Sequence, residues 1–99
     1  MDTGGDSPPA KPFRARLVKG AVTLQAAVMG TWQWTMHPSG LGSCTGRFCV
    51  ESGDLLAVGG RYRLICPGWR PVSVTVTALV AGQRGRWTAY FQGQVRVTP

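Results

Sequence analysis

The chain has 99 residues, of which eleven are basic and four acidic, giving a formal net charge of +7. A chain of this length forms a single domain, and it contains no apolar run of the ~20 residues that a membrane-spanning helix needs. Fourteen glycines and seven prolines argue against a helical bundle and favour short strands joined by tight turns.

Residues 1–12 are polar and rich in glycine and proline. They have too few apolar groups to offset the entropy of ordering, so we predict a flexible or docking N-terminal arm. They also lack the basic and then apolar segments of a secretory signal. We therefore expect a cytoplasmic protein, or one assembled into a particle, with reduced cysteines. Residues 13–99 are predicted to form one all-β domain.

Short candidate strands follow in the first half of this domain. Residues 13–19 alternate apolar and basic side chains, as in a strand with one buried face. Residues 21–29 suit either a strand or a short helix, and their β-branched residues favour the strand. Residues 31–36 carry two tryptophans on one face. Residues 37–46 are predicted to be a loop, and residues 47–51 a short strand.

The clearest pattern lies in the second half, where strands are predicted at 61–66, 72–78 and 86–97. Each alternates an apolar series with a polar one, and a glycine-containing loop joins the last two as a hairpin. Gly93 falls at an inward position of the last strand, where we expect a coil or bulge that lets a sheet close. About five to seven short strands predict a small antiparallel barrel or a two-sheet sandwich, and periodicity does not separate the two.

The outward positions of these strands are rich in arginine, threonine and aromatic residues and almost free of acids. From Lys11 onward the chain has eleven basic residues against Glu51 and Asp54, a net charge of +9. An excess of this size predicts an anionic partner, such as nucleic acid, a phospholipid surface or an acidic protein surface. The predicted binding residues are outward arginines and nearby aromatics: Arg14, Arg16, Arg61, Arg63, Trp69, Arg70, Arg86, Tyr90 and Arg96.

Residues able to ligate a metal or to act as catalysts are few. The candidate zinc ligands are His37, Cys44, Cys49 and Cys66. Their spacing contains no Cys-x-x-Cys pair of the kind that zinc sites use. Two carboxylates and one histidine in the body of the chain do not form a recognisable acid–base or nucleophile pair. We therefore predict no enzymatic activity, no cofactor and no metal site.

These observations together predict a small module that acts by binding. The first hypothesis is a structural or docking component of a larger assembly, such as a virion or mobile-element particle. It would contact other protein subunits through its arm and its arginine-rich face. The alternative is an OB-like or SH3-like nucleic-acid-binding domain, in which arginines neutralise phosphates and aromatic rings stack on bases. A homo-oligomer is compatible with either hypothesis.

Overall fold

Six antiparallel strands close into a small barrel in the computed structural model, which describes residues 10–96. Most of the predicted arm, residues 1–9, lies outside the described residues. The strands are β1 (Lys11–Lys19), β2 (Val22–Met36), β3 (Leu41–Val50), β4 (Arg61–Ile65), β5 (Val72–Ala81) and β6 (Trp87–Arg96). Around the barrel they follow in the order β1, β2, β3, β6, β5 and β4, and β4 pairs back to β1. The predicted all-β fold is confirmed, as a barrel.

The barrel interior is filled by the apolar series of each strand. Successive side chains of a strand point to opposite faces, so one series per strand turns inward. Phe48 and Phe91 are almost fully buried at the centre with ring centroids 5.5 Å apart, and Phe13 stacks on Trp32 at 4.2 Å. No polar or charged side chain is buried in residues 10–96. The inward positions predicted for Tyr62, Leu64 and Cys66 and for the valines of β5 up to Val76 are confirmed.

The pairing of β3 on both sides corrects the prediction for residues 37–46. β3 begins at Leu41, which pairs with Arg96 of β6, and the next residue, Gly42, pairs with Met36 of β2. Residues 41–46 of the predicted loop are therefore strand. Their glycines and serine have weak intrinsic strand preference, and hydrogen bonding to two neighbours overrides it. Gly46 lies so close to β2 that an added Cβ would overlap the Thr31 carbonyl oxygen. The segment 21–29 is strand and continues directly into 31–36 within β2.

Bulges occur at other places than the sequence suggests. Gly93 pairs regularly with Cys44 and Val74, so the predicted irregularity there is wrong, although its inward position is confirmed. The register shifts instead lie in β1 next to Leu17 and in β5 between Val76 and Ala78. The β5 shift reverses the alternation, so Ala78 is not an inward residue as predicted.

The two ends of the barrel are closed by loops. At one end, Trp69 of the β4–β5 turn packs against Trp32 and Trp34, with centroids 5.5 and 5.8 Å apart. At the other, the segment after β3 forms a 3₁₀ turn, Gly53–Leu55, and buries Leu56. A second 3₁₀ turn, Gln83–Gly85, lies in the β5–β6 hairpin, and no helix of the described part is long and apolar enough to cross a membrane.

Closure of the barrel depends on a short contact between β1 and β4, which we call the β1–β4 seam. The seam consists of three residue pairs, whereas β3 and β6 are joined by ten. Its pairs are Arg16 with Ile65, Leu17 with Leu64, and Val18 with Arg63.

Candidate binding surface

Four of the predicted arginines lie on the outer side of β1 and β4, the two strands that form the β1–β4 seam. Arg14 and Arg16 are exposed on β1, and Arg61 and Arg63 are exposed on β4. Arg16 pairs with Ile65, and Arg63 lies two residues before Ile65 in β4, so Arg16 and Arg63 are diagonal neighbours across the seam. We call these four residues the arginine face. Like charges at such a distance repel, so this face favours an anionic partner.

Two rows of uncharged polar side chains continue outward from β4 across β5, β6 and β3. Strand pairing aligns Arg63, Ser73, Gln94 and Ser43 in one row, and Arg61, Thr75, Gln92 and Thr45 in the next. These eight residues line a shallow depression of about 800 Å³, which we call the polar groove. The four strands span about 14 Å, since neighbouring strands lie ~4.8 Å apart. The groove therefore runs across the strands, with both guanidinium groups at its β4 end.

Beneath the polar groove, β6 has a position where a side chain does not fit. Gly93 lies at an inward position of β6 between Cys44 and Val74. A Cβ placed on it would lie 2.9 Å from the Cys44 sulfur and 3.0 Å from the Ser73 carbonyl oxygen. The barrel wall lies too close to the core here for a side chain to fit. Gly93, Cys44 and Val74 also border the groove.

Hydrogen-bonding groups in the groove are largely unused within the described chain. Among the eight groove residues, the side chain of Ser43 has a partner, the His37 ring at 3.4 Å between Oγ and Nε2. Among residues 10–96, no carboxylate lines the groove. Hydroxyl and amide side chains can both donate and accept, whereas guanidinium groups only donate. The groove can therefore bind a polar chain that carries negative charge at one end.

A second, smaller hollow lies beside Arg14 and Arg16. It has a volume of about 360 Å³ and is bounded by Ile65 and Pro67 from the end of β4 and by the alanines of β2. Its lining is more apolar than that of the polar groove, and no hydroxyl or amide side chain borders it. The arginine face thus borders two different surfaces.

The remaining predicted binding residues lie elsewhere. Arg86, Tyr90 and Arg96 belong to the β5–β6 hairpin and to β6, which is opposite β1 in the ring of six strands. Tyr90 is 38% exposed and pairs with Arg47, a cation that the sequence did not single out. Trp69 is 53% exposed and packs on two other tryptophans, and Arg70 follows it in the same turn. The predicted set is therefore divided among three regions.

Much of the outer wall of the barrel is uncharged. Along β2, β3, β5 and β6, most outward residues are serine, threonine, glutamine or small apolar residues. Arg47 is the one charged side chain in the middle of these strands within the described part. The arginines instead concentrate on β1 and β4 and in the hairpin at one end.

The cysteines and the histidine do not form a cluster. Cys44 and Cys66 are buried, Cys49 is exposed, and all three thiols are free. Burial raises the pKa of Cys44 to about 12, and a backbone hydrogen bond from Gly93 opposes the rise. Burial also raises the pKa of Cys66. Within residues 10–96, no three side chains of the metal-ligating types come together.

Sequence reasoning missed the floor of the polar groove. Ser73, Thr75, Gln92 and Gln94 were visible as the polar half of the alternation in their strands. Their alignment with one another depends on strand register, which alternation within one strand does not contain. Ser43 and Thr45 were hidden because their segment was predicted to be a loop.

Comparison with known proteins gives no match. No protein-family model matches the chain, and no curated protein or solved structure is significantly similar to it. We therefore infer function from the geometry and charge of the surface alone.

Proposed function

We propose that this protein is a non-enzymatic binding module that docks onto a larger assembly, of the kind formed by virions or mobile-element particles. The observation that supports this proposal is the unbalanced charge of the described residues. They contain eleven basic and two acidic residues, and four arginines are exposed on the neighbouring strands β1 and β4, with Arg16 and Arg63 adjacent across the seam. An acidic surface of a neighbouring subunit would complement this arrangement.

The neutral outer wall also favours a protein partner. A nucleic-acid-binding sheet places exposed aromatic rings between its cations, so that bases stack while phosphates are neutralised. Here Tyr90 lies on the strand opposite β1, and Trp69 is engaged with Trp32 and Trp34. Tyr62 borders the polar groove but is buried, and its hydroxyl accepts a hydrogen bond from the Ala57 amide. The arginine face therefore has no aromatic ring positioned for stacking.

Co-sedimentation from cells that contain the native partners tests the proposal. The full chain is expected to sediment with a complex far heavier than its own 10.6 kDa. A variant with glutamine at all four positions of the arginine face is expected to remain at the top of the gradient. The matched control replaces four arginines outside this face: Arg47 of β3, Arg84 and Arg86 of the β5–β6 hairpin, and Arg96 of β6.

Two outcomes would contradict the proposal. One is a wild-type chain that sediments alone. The other is equal loss of co-sedimentation in both variants, because this would indicate dependence on net charge rather than on the arginine face. Tight binding of an oligonucleotide that falls steeply with salt would instead favour the nucleic-acid alternative.

A further inference from the structure

We infer that the polar groove binds an extended segment of a partner polypeptide, with an acidic side chain or terminal carboxylate at its β4 end. The inference rests on the proposed function and specifies the chemistry of the partner. Three features of the groove carry it: the position of its charges, the kind of its neutral groups, and its length.

The position of the charges favours a ligand that is anionic at one end. Arg61 and Arg63 are two residues apart on β4, so their side chains leave the strand on the same side, ~7 Å apart. From β4 to β3, the other six groove residues are neutral. A polynucleotide carries a phosphate on every nucleotide and would leave most of its charges without a cation here. A polypeptide with acidic residues at one end matches this distribution.

The neutral groups match a peptide backbone. An extended backbone presents alternating N–H donors and C=O acceptors, and none of them is charged. Ser73, Thr75, Gln92 and Gln94 each combine donor and acceptor capacity. None of these four side chains has a hydrogen-bond partner among the described residues. They are therefore available to a ligand that lies across the strands.

The length of the groove sets the size of the ligand. A distance of about 14 Å across four strands accommodates about four extended residues at ~3.3 Å each. A second copy of the same chain is a poor occupant, because the body of each copy carries a net +9 from eleven basic and two acidic residues. Repulsion between two such bodies opposes their association.

Nuclear magnetic resonance of the ¹⁵N-labelled full chain tests the inference with defined probes. The probe is a capped hexapeptide of serine, threonine and valine that ends in two glutamates, and its control has glutamine in place of both glutamates. Titration with the acidic probe is expected to shift the side-chain amide signals of Gln92 and Gln94 and the backbone signals around Gly93. The control peptide is expected to bind about tenfold more weakly, since one charge-assisted hydrogen bond contributes ~1.5 kcal/mol.

Two variants with the same loss of charge locate the binding site. R61Q/R63Q removes the cations of the polar groove, and R84Q/R86Q removes two cations of the β5–β6 hairpin, outside both the groove and the arginine face. Binding of the acidic probe is expected to weaken about tenfold or more in the first variant and to change less than twofold in the second. Unchanged melting temperatures confirm that both variants keep the fold.

Several results would overturn the inference. These are equal weakening in both variants, absence of shifts at millimolar peptide, and an oligothymidylate that shifts the groove signals more strongly than the acidic peptide. The outcome is separable from that of the proposed function. If R61Q/R63Q still co-sediments with the assembly and R14Q/R16Q does not, docking stands and the polar groove is not the site.

Discussion

Replacing Gly93 with alanine tests directly how closely the barrel is packed beneath the polar groove. The added methyl group would lie 2.9 Å from the Cys44 sulfur, 3.0 Å from the Ser73 carbonyl oxygen and 3.0 Å from Cγ1 of Val74. Favourable contacts between such atoms need about 3.5–4.0 Å, so the neighbours must move by roughly 0.5–1 Å. One of them is backbone of β5 and the others belong to the packed interior, so the movement cannot be confined to an exposed side chain.

The expected loss of stability follows from these contacts. Overpacking of an interior costs about 1–3 kcal/mol. Alanine also restricts the unfolded chain, which offsets about 0.4–1 kcal/mol of this cost. We expect Gly93→Ala to lower the free energy of unfolding by about 1–2 kcal/mol, measured by urea titration with tryptophan fluorescence. For a domain of this size, the melting temperature should fall by about 5–15 °C.

A double-mutant cycle identifies the contact responsible. Cys44→Ala removes the sulfur that lies nearest to the new methyl group, so the double variant should lose less stability than the two single losses added together. Gly20 provides a control of a different kind, because its φ is +60° and nothing lies within 4 Å of an added Cβ. Gly20→Ala should be destabilised by backbone strain, and Cys44→Ala should not relieve it. An unchanged or more stable Gly93→Ala variant would refute the reasoning.

The remaining predictions concern the core and the thiols. Val74→Asp and Phe91→Asp should each abolish cooperative unfolding, because each buries an unpaired charge; a soluble variant with a cooperative melt would contradict the inward assignment. In the folded protein, Cys49 should react with a thiol reagent at pH 8, while Cys44 and Cys66 react only after denaturation. Stability should decline between pH 9.0 and about 12 through Cys44, because the unfolded thiol loses its proton first. The slope from Cys44 is at most about 1.4 kcal/mol per pH unit, and Cys44→Ala should reduce the decline to the part that comes from Cys66.

The fold could be predicted from the sequence where alternation was strong. Tyr62 and Leu64 in β4, and Val72 and Val74 in β5, are buried as predicted. Side chains of a strand alternate between its two faces, so an apolar residue at every second position marks the buried face. Alternation failed after Val76, where a bulge adds one residue and reverses the faces. A bulge of this kind depends on both strands of the pair, and the sequence of β5 alone does not contain that information.

The candidate site was predictable only in part, for a similar reason. Outward positions of individual arginines are local properties, and Arg14, Arg16, Arg61 and Arg63 are exposed as expected. Their grouping depends on β4 pairing back to β1, a contact between segments more than forty residues apart. The polar groove requires further register between β5, β6 and β3. These pairings are tertiary, so no pattern within one strand encodes them.

The β1–β4 seam is short, so it should be the weakest junction of the barrel. A partner bound across it should therefore stabilise the barrel where it opens most easily. Strands β1 to β3 form one antiparallel meander, and strands β4 to β6 form another. Two junctions join the meanders: the β1–β4 seam with three residue pairs, and the β3–β6 pairing with ten. Thermal opening should begin at the seam, and amide hydrogens of Leu17 and Leu64 should exchange faster than those of the β3–β6 junction. A partner docked onto the arginine face would contact both strands of the seam, so docking should slow the exchange at the same amides.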